Sequence, residues 1–194
     1  MSAPEPPDVL EFASGSEWEA WLESHHAERP DAWLRIAKRR SSVPGLSIED
    51  ALDGALCFGW IDGQRRSNDA ESFLQRYSPR RRTSSWSQVN VDKFEALEAA
   101  GRVRPSGFAA VAEAKADGRW DAAYASQRTA ETPPDLTAAL AGNPAAARAF
   151  EALDRTARYA VILEVLKART PERRATLIAR AARRLESAAP PVAR

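Results

Sequence analysis

The chain is 194 residues long, 44% apolar and 28% charged, with 28 basic against 27 acidic side chains and one cysteine, Cys57. That length suits one large domain or two small ones and buries roughly 70% of its unfolded surface. A single cysteine excludes an intramolecular disulfide and a cysteine-built zinc site. No apolar run approaches the ~20 residues of a membrane span. Met1–Pro7 has neither a basic start nor an apolar stretch and does not read as a secretory signal.

Val9–Phe12 alternates, with Leu10 and Phe12 on one side, and predicts a short strand. Ser14-Gly15-Ser16-Glu17 is a capping box. Trp18, Trp21, Leu22 and His25 then fall on one helical face, and Pro30 closes the helix. Ala32–Ala37 alternates again, with Ala32, Leu34 and Ile36 against Trp33, Arg35 and Ala37. Pro44-Gly45 breaks the chain. Ser47 with Asp50 caps a second helix, whose apolar face is Ile48, Leu52, Ala55 and Leu56, and Gly59 stands at its left-handed end. Trp60–Arg66 and Glu71–Tyr77 predict two strands joined by a turn at Ser67-Asn68-Asp69-Ala70. Ser85 with Gln88 reads as another capping box. The helix after it carries Val91, Phe94, Leu97 and Ala100 and ends at Gly101, and Pro105–Ala116 is a further helix ended near Gly118.

From Thr132 the character changes. Pro133-Pro134 marks a boundary, and Asn143-Pro144 a turn into a short helix. Asp154 caps a helix through Lys167, and Thr170-Pro171-Glu172 starts a last helix to about Ser187. The expected fold is α+β: a small four-stranded sheet with packed helices over residues 9–126, followed by a helical domain over 132–187. Residues 1–7 and 188–194 are expected to be disordered, since neither segment buries enough apolar area to offset its ordering entropy.

Charge is laid out unevenly. Residues 1–31 carry eight acids against Arg29, residues 61–90 six arginines against three acids, and residues 167–184 seven cations against Glu172. The hairpin is expected to bring Arg65, Arg66 and Arg76 close across its strands, beside Arg80, Arg81 and Arg82, which lead into a helix N-terminus where free N–H groups favour anions. Guanidinium forks suit phosphate or carboxylate. Trp60, Tyr77 and Trp86 would stack on a planar group, and Asp62, Gln64, Ser85 and Asn90 complete the candidate site. Lys38-Arg39-Arg40 would extend it. Competing structural roles are plain: Trp60 and Trp86 as core, Asp62 bound to a backbone N–H or an arginine, and the arginines paired with Asp62, Asp69 or Glu71. Cys57 reads as a small buried hydrophobe. Neither a metal site nor a cofactor is expected, and phosphate-loop, dinucleotide and nucleophile-elbow motifs are absent.

The strings "ALCFGWIDGQRR", "RYSPRRRTSSWSQVN", "AAGRVRPSG", "AKADGRWDAAY" and "TPERRATLIARA" resemble the bacterial YdeI/OmpD-associated, or bacteriocin-protection, family over about residues 9–187. Val103 stands where that family commonly has methionine, and Tyr77 where it has phenylalanine. The resemblance implies a cytoplasmic protein with a YdhG-like α+β domain and a helical tail. It also implies an association with stress and antimicrobial resistance, and no established reaction.

The expected function is therefore non-enzymatic recognition of an anionic partner, a phosphate-bearing small molecule or nucleic acid, on the arginine face. Two rivals stand beside it. One is an enzyme with Asp62 or Tyr77 as acid or base and an arginine clamp. The other is an interaction module whose last helix, with Arg173, Arg174, Arg180, Arg183 and Arg184, docks on an acidic protein or membrane surface. Ligand identity and oligomeric state are not written in the sequence.

Overall fold

The computed structural model describes residues 8–168 and 170–188. The disorder expected of 1–7 and 189–194 lies outside those residues, and Ala188 closes the last helix. The chain divides into two compact units: one takes the described residues up to Trp86 together with Asn90–Ala122, the other Ser87–Val89 together with those from Ala123 on.

The first unit runs β1 (Val9–Leu10), α1 (Gly15–His25), β2 (Ala32–Ala37), α2 (Ile48–Cys57), β3 (Trp60–Ser67), β4 (Ser72–Pro79), α3 (Gln88–Ala99, in this unit from Asn90 on) and α4 (Pro105–Ala116). Its four strands form one mixed sheet in the order β1-β2-β4-β3, with β1 parallel to β2 and the other pairs antiparallel. The α+β expectation holds. Local chemistry sets the ends of the elements. Ser14 Oγ accepts from Glu17 N, and the Glu17 carboxylate accepts from Ala13 N. Ser47 Oγ accepts from Asp50 N at the start of α2. Gly59 turns the chain from α2 into β3 at φ +74°, where a side chain would be strained. α3 begins at Gln88, so the residue before it is Ser87 and the expected Ser85–Gln88 box does not form its cap.

The buried side of α2 is Ala51, Gly54, Ala55, Leu56 and Cys57, while Ile48 and Leu52 are half-exposed. The expected face is thus rotated. Trp18 is the cause: its indole lies so close to Gly54 that a Cβ there would sit 2.7 Å from its Cδ1, and its Nε1 donates to Ala51 O at 3.1 Å. A large ring on α1 calls for small residues opposite, and a pattern of large apolar residues overlooks them.

The hairpin carries a bulge. Asp62 pairs with Tyr77 and Arg65 with Gln75, so Gly63 and Gln64 together oppose Arg76. The extra residue changes which side the following residues face: Arg65 shares the side of Gln75, where unbroken alternation would have put Gln64. Gln75 is buried and ties the irregularity down. Its Nε2 donates to Gly63 O and Gln64 O at 3.1 and 3.2 Å, and its Oε1 accepts from Arg65 Nε at 2.9 Å. Gln75→Met keeps the volume and strands those partners, so a loss of about 2–3 kcal/mol is expected. It should show as a lower urea midpoint and faster amide exchange at Gly63–Arg66; an unchanged midpoint would refute the tie.

The second unit packs α5 (Pro134–Ala141), α6 (Pro144–Ala152), α7 (Arg155–Leu166) and α8 (Pro171–Ala188) around Leu136, Leu140, Phe150, Val161, Val165, Ile178 and Leu185. Asn143 and Asp154 cap α6 and α7 through Ala146 N and Ala157 N. α5 is a helix that the sequence announces only as a boundary: Pro133 precedes it, with no side-chain cap. The apolar stripe of α8, Leu177, Ile178, Ala181 and Leu185, is buried, so that helix has no free apolar face for docking. Its arginines are partly spoken for, Arg174 by Asp135 and Arg180 and Arg184 by Glu164. No helix among the described residues is long and apolar enough to cross a membrane.

The hydrogen bonds from Arg174 hold the Asp135 carboxyl below the usual carboxylate range. A depressed folded pKa stabilises above the unfolded value, about 4, and that contribution fades as pH falls through the folded value. The pair is half-exposed, so the effect is small. The Tm gap between wild type and Asp135→Asn at neutral pH should narrow as pH is lowered below about 4; a constant gap would show that the pair contributes through something other than charge.

Candidate anion-binding site

From Leu74 to Arg80 an extended chain advances ~20 Å, so the arginines expected to cluster are strung along the sheet. Arg65 is bound to Gln75, its guanidinium 4.3 Å from the Phe73 ring. Arg66 lies 4.8 Å over Trp33. Arg76 Nε and Nη2 donate to Asp31 Oδ2 at 2.9 and 2.6 Å. These three do not meet Arg80–Arg82 at one point, because Arg65 and Arg66, consecutive on β3, face opposite sides of the sheet, each held by its own partner, and the strand length separates the rest. Lys38 Nζ donates to Asp69 O and Ala70 O at the hairpin turn. Arg39 and Arg40 follow it from the end of β2, where Ala37 pairs with Ser72 at the start of β4, the end opposite Arg80. They do not extend the patch.

The aromatic candidates are interior. Trp60, Tyr77 and Trp86 are 1%, 0% and 1% exposed. Trp60 Nε1 donates to His26 O, and its ring meets Trp18 edge-on. Trp86 packs edge-on against Phe94 and Trp120. None offers a ring to a ligand. Burial, and then the charge of Asp62, push the Tyr77 phenol far above its ordinary range, and its oxygen has no hydrogen-bond partner among the described residues. A sealed phenol neither reaches a substrate nor exchanges a proton at neutral pH. Asp62 and Gln64 are exposed on β3. Cys57 is buried, which pushes its thiol up to about 11, as a packing residue would be.

The loop after β4 gathers the remaining candidates. Arg80 N donates to Gly59 O, and the Arg80 guanidinium lies 3.5 Å over the Trp86 ring with Nη1 on Ser85 O. Arg81 N donates to Ser84 Oγ at 3.1 Å and Ser84 N to Arg81 O at 2.8 Å, which closes a tight turn. Arg119 Nη1 fastens that turn through Ser84 O at 3.1 Å. Arg119 is itself buried and held by Asp117. Sequence reasoning missed Arg119: nothing local distinguishes an arginine that supports a distant loop from one that faces water. Arg81 and Arg82 are exposed, and neither pairs with a carboxylate among the described residues. Ser85 is half-buried beside them, and Asn90 is in the first turn of α3.

Residues 10–110, just over half of the chain, match the family model described as Domain of unknown function (DUF8412). Residues 129–188 match the one described as Bacteriocin-protection, YdeI or OmpD-Associated. The YdeI/OmpD-associated match thus covers the helical segment rather than the whole stretch 9–187, and neither description names a YdhG-like protein. No curated protein and no solved structure matches the chain at a significant level.

Proposed function

The chain belongs to the Domain of unknown function (DUF8412) family, with a YdeI/OmpD-associated segment toward its C-terminus, and we propose that it is a binding protein that recognises an anionic partner through Arg81 and Arg82. The observation that carries this reading is that two arginines consecutive in the chain stand exposed, paired with no carboxylate among the described residues, on a turn fastened by Ser84 and Arg119. Two like charges brought within about 4–8 Å of each other repel by about 0.5–1 kcal/mol even in water. A phosphate bound by both would turn that repulsion into charge-assisted hydrogen bonds. Arg80 adds to the field from its place over Trp86. The partner class is a phosphate-bearing small molecule or nucleic acid. The resemblance adds a cytoplasmic setting and an association with stress or antimicrobial resistance. The catalytic rival loses its phenol to burial and retains Asp62 alone.

Affinity for polyphosphate, nucleotides and single-stranded DNA, measured from about 50 to 200 mM salt, tests this reading. Binding to the single strand should weaken as salt rises, and R81A/R82A should flatten the slope of log K against log salt by about 1.4, two contacts at ~0.7 each. No binding at low salt, or an unchanged slope in the variant, would overturn it.

A further inference from the structure

The helical unit holds three adjoining hollows with shared walls. One of about 430 Å³ is lined by Gln127, Arg128 and Arg155. The next, about 270 Å³, shares those three and continues to Thr132 and Arg158. The last, about 320 Å³, shares Thr132 and Arg158 and ends against Leu140 of α5 and Phe150 of α6. One end of this run is cationic and the other apolar.

None of its three arginines pairs with a carboxylate among the described residues. Among the described residues, Arg155 Nη2 reaches Gln127 O at 3.5 Å. Arg158 stands at the junction, its Nη2 donating to the main-chain oxygens of Glu151 and Leu153 at 2.7 and 3.3 Å and its guanidinium 5.6 Å from the Phe150 ring. Its Nε is buried with no hydrogen-bond partner among the described residues. Two carbonyls therefore fix the direction of the group without cancelling its charge. Glu151 is the acid in the lining; it is exposed, at the apolar end, and Arg158 holds its main-chain oxygen.

A guanidinium cluster that opens into an apolar hollow selects a molecule with the same two halves. We propose that this groove binds a small amphiphilic carboxylate. The carboxylate meets Arg128 and Arg155, the chain passes Arg158, and an aliphatic tail fills the space between Leu140 and Phe150. The volumes suit a compact ligand, since small-molecule sites run from roughly 300 to 1,000 Å³. An inorganic anion would use only the cationic end and a neutral alkyl chain only the other. This site shares no residue with the Arg81–Arg82 turn, and its occupancy does not depend on that reading.

Calorimetric titration of the full chain with acetate, butyrate, hexanoate, octanoate and octanol tests it. Affinity should rise up to about fourfold per methylene until the hollow is full, octanoate should exceed octanol, and R155Q should weaken octanoate about tenfold with Tm unchanged. R81A/R82A should bind octanoate as the wild type does. Absence of binding, affinity independent of chain length, parity of octanoate with octanol, indifference to R155Q, or loss of binding in R81A/R82A would each overturn the assignment.

Discussion

Trp18→Ala should cost the first unit about 3–5 kcal/mol, a large share of the ~5–15 kcal/mol that holds a domain folded. Trp18 is fully buried. Its ring stacks on Trp21 at 5.3 Å and meets Phe12, Tyr77 and Trp60 at 5.5, 6.0 and 6.2 Å. Its Nε1 bonds Ala51 O, and its edge occupies the gap that Gly54 leaves. Alanine would leave a cavity bounded by the surrounding aromatic rings and by α2, which cannot collapse without pulling the helix off the sheet. Trp18→Phe keeps a ring and gives up the bond to Ala51, so its cost should be nearer 1–2 kcal/mol. The readout is clean, because all six tryptophans fall at or before Trp120, within the first unit. Urea unfolding followed by tryptophan fluorescence reports that unit without the helical one, which avoids forcing both units into one transition. A loss under about 1 kcal/mol for the alanine variant would mean that the aromatic cluster is looser than its geometry.

The second large effect belongs to Gly107. A Cβ there would collide with the main-chain oxygen of Cys57 and lie 2.9 Å from Val103 Cγ1. Arg104 N also donates to Cys57 O at 2.9 Å, so α4 presses its backbone on the end of α2. Gly107→Ala forces these backbones apart and should cost about 3 kcal/mol. Gly101→Ala is the control. Gly101 has φ +69° and open space around its Cβ position, so only the left-handed penalty applies, about 1 kcal/mol. Both costs are read as shifts of the urea midpoint. Equal costs at the two positions would show that conformation, not close approach, is what Gly107 supplies.

Where local chemistry decides, the sequence is a good guide. β2 and α4 occupy the spans read from alternation and from Pro105, Ser14, Ser47 and Asp154 cap as their positions require, and Asn143, read as a turn, caps α6. Where a distant residue decides, it is not. The face of α2 answers to Trp18, and Ala51 and Gly54 carry no weight in a hydrophobic pattern. The bulge at Gly63 and Gln64 is held by Gln75, a polar residue on a strand, and its presence reverses the side on which Arg65 and Arg66 fall. The destinations of the arginines followed from partners far along the chain: Asp31 took Arg76, and Trp33 took Arg66. Arg81 and Arg82 are exposed; the sequence marks the run as hard to pair internally because adjacent like charges repel.

The central claim, that the Arg81–Ser84 turn is a preformed anion site, is tested most directly by amide NMR of the labelled chain during titration with pyrophosphate at low salt. The account predicts shifts concentrated on residues 81–85, saturating with pyrophosphate and reversing when salt is raised, and absent from R81A/R82A. Undisturbed resonances there, or shifts confined to Lys38–Arg40, would contradict it.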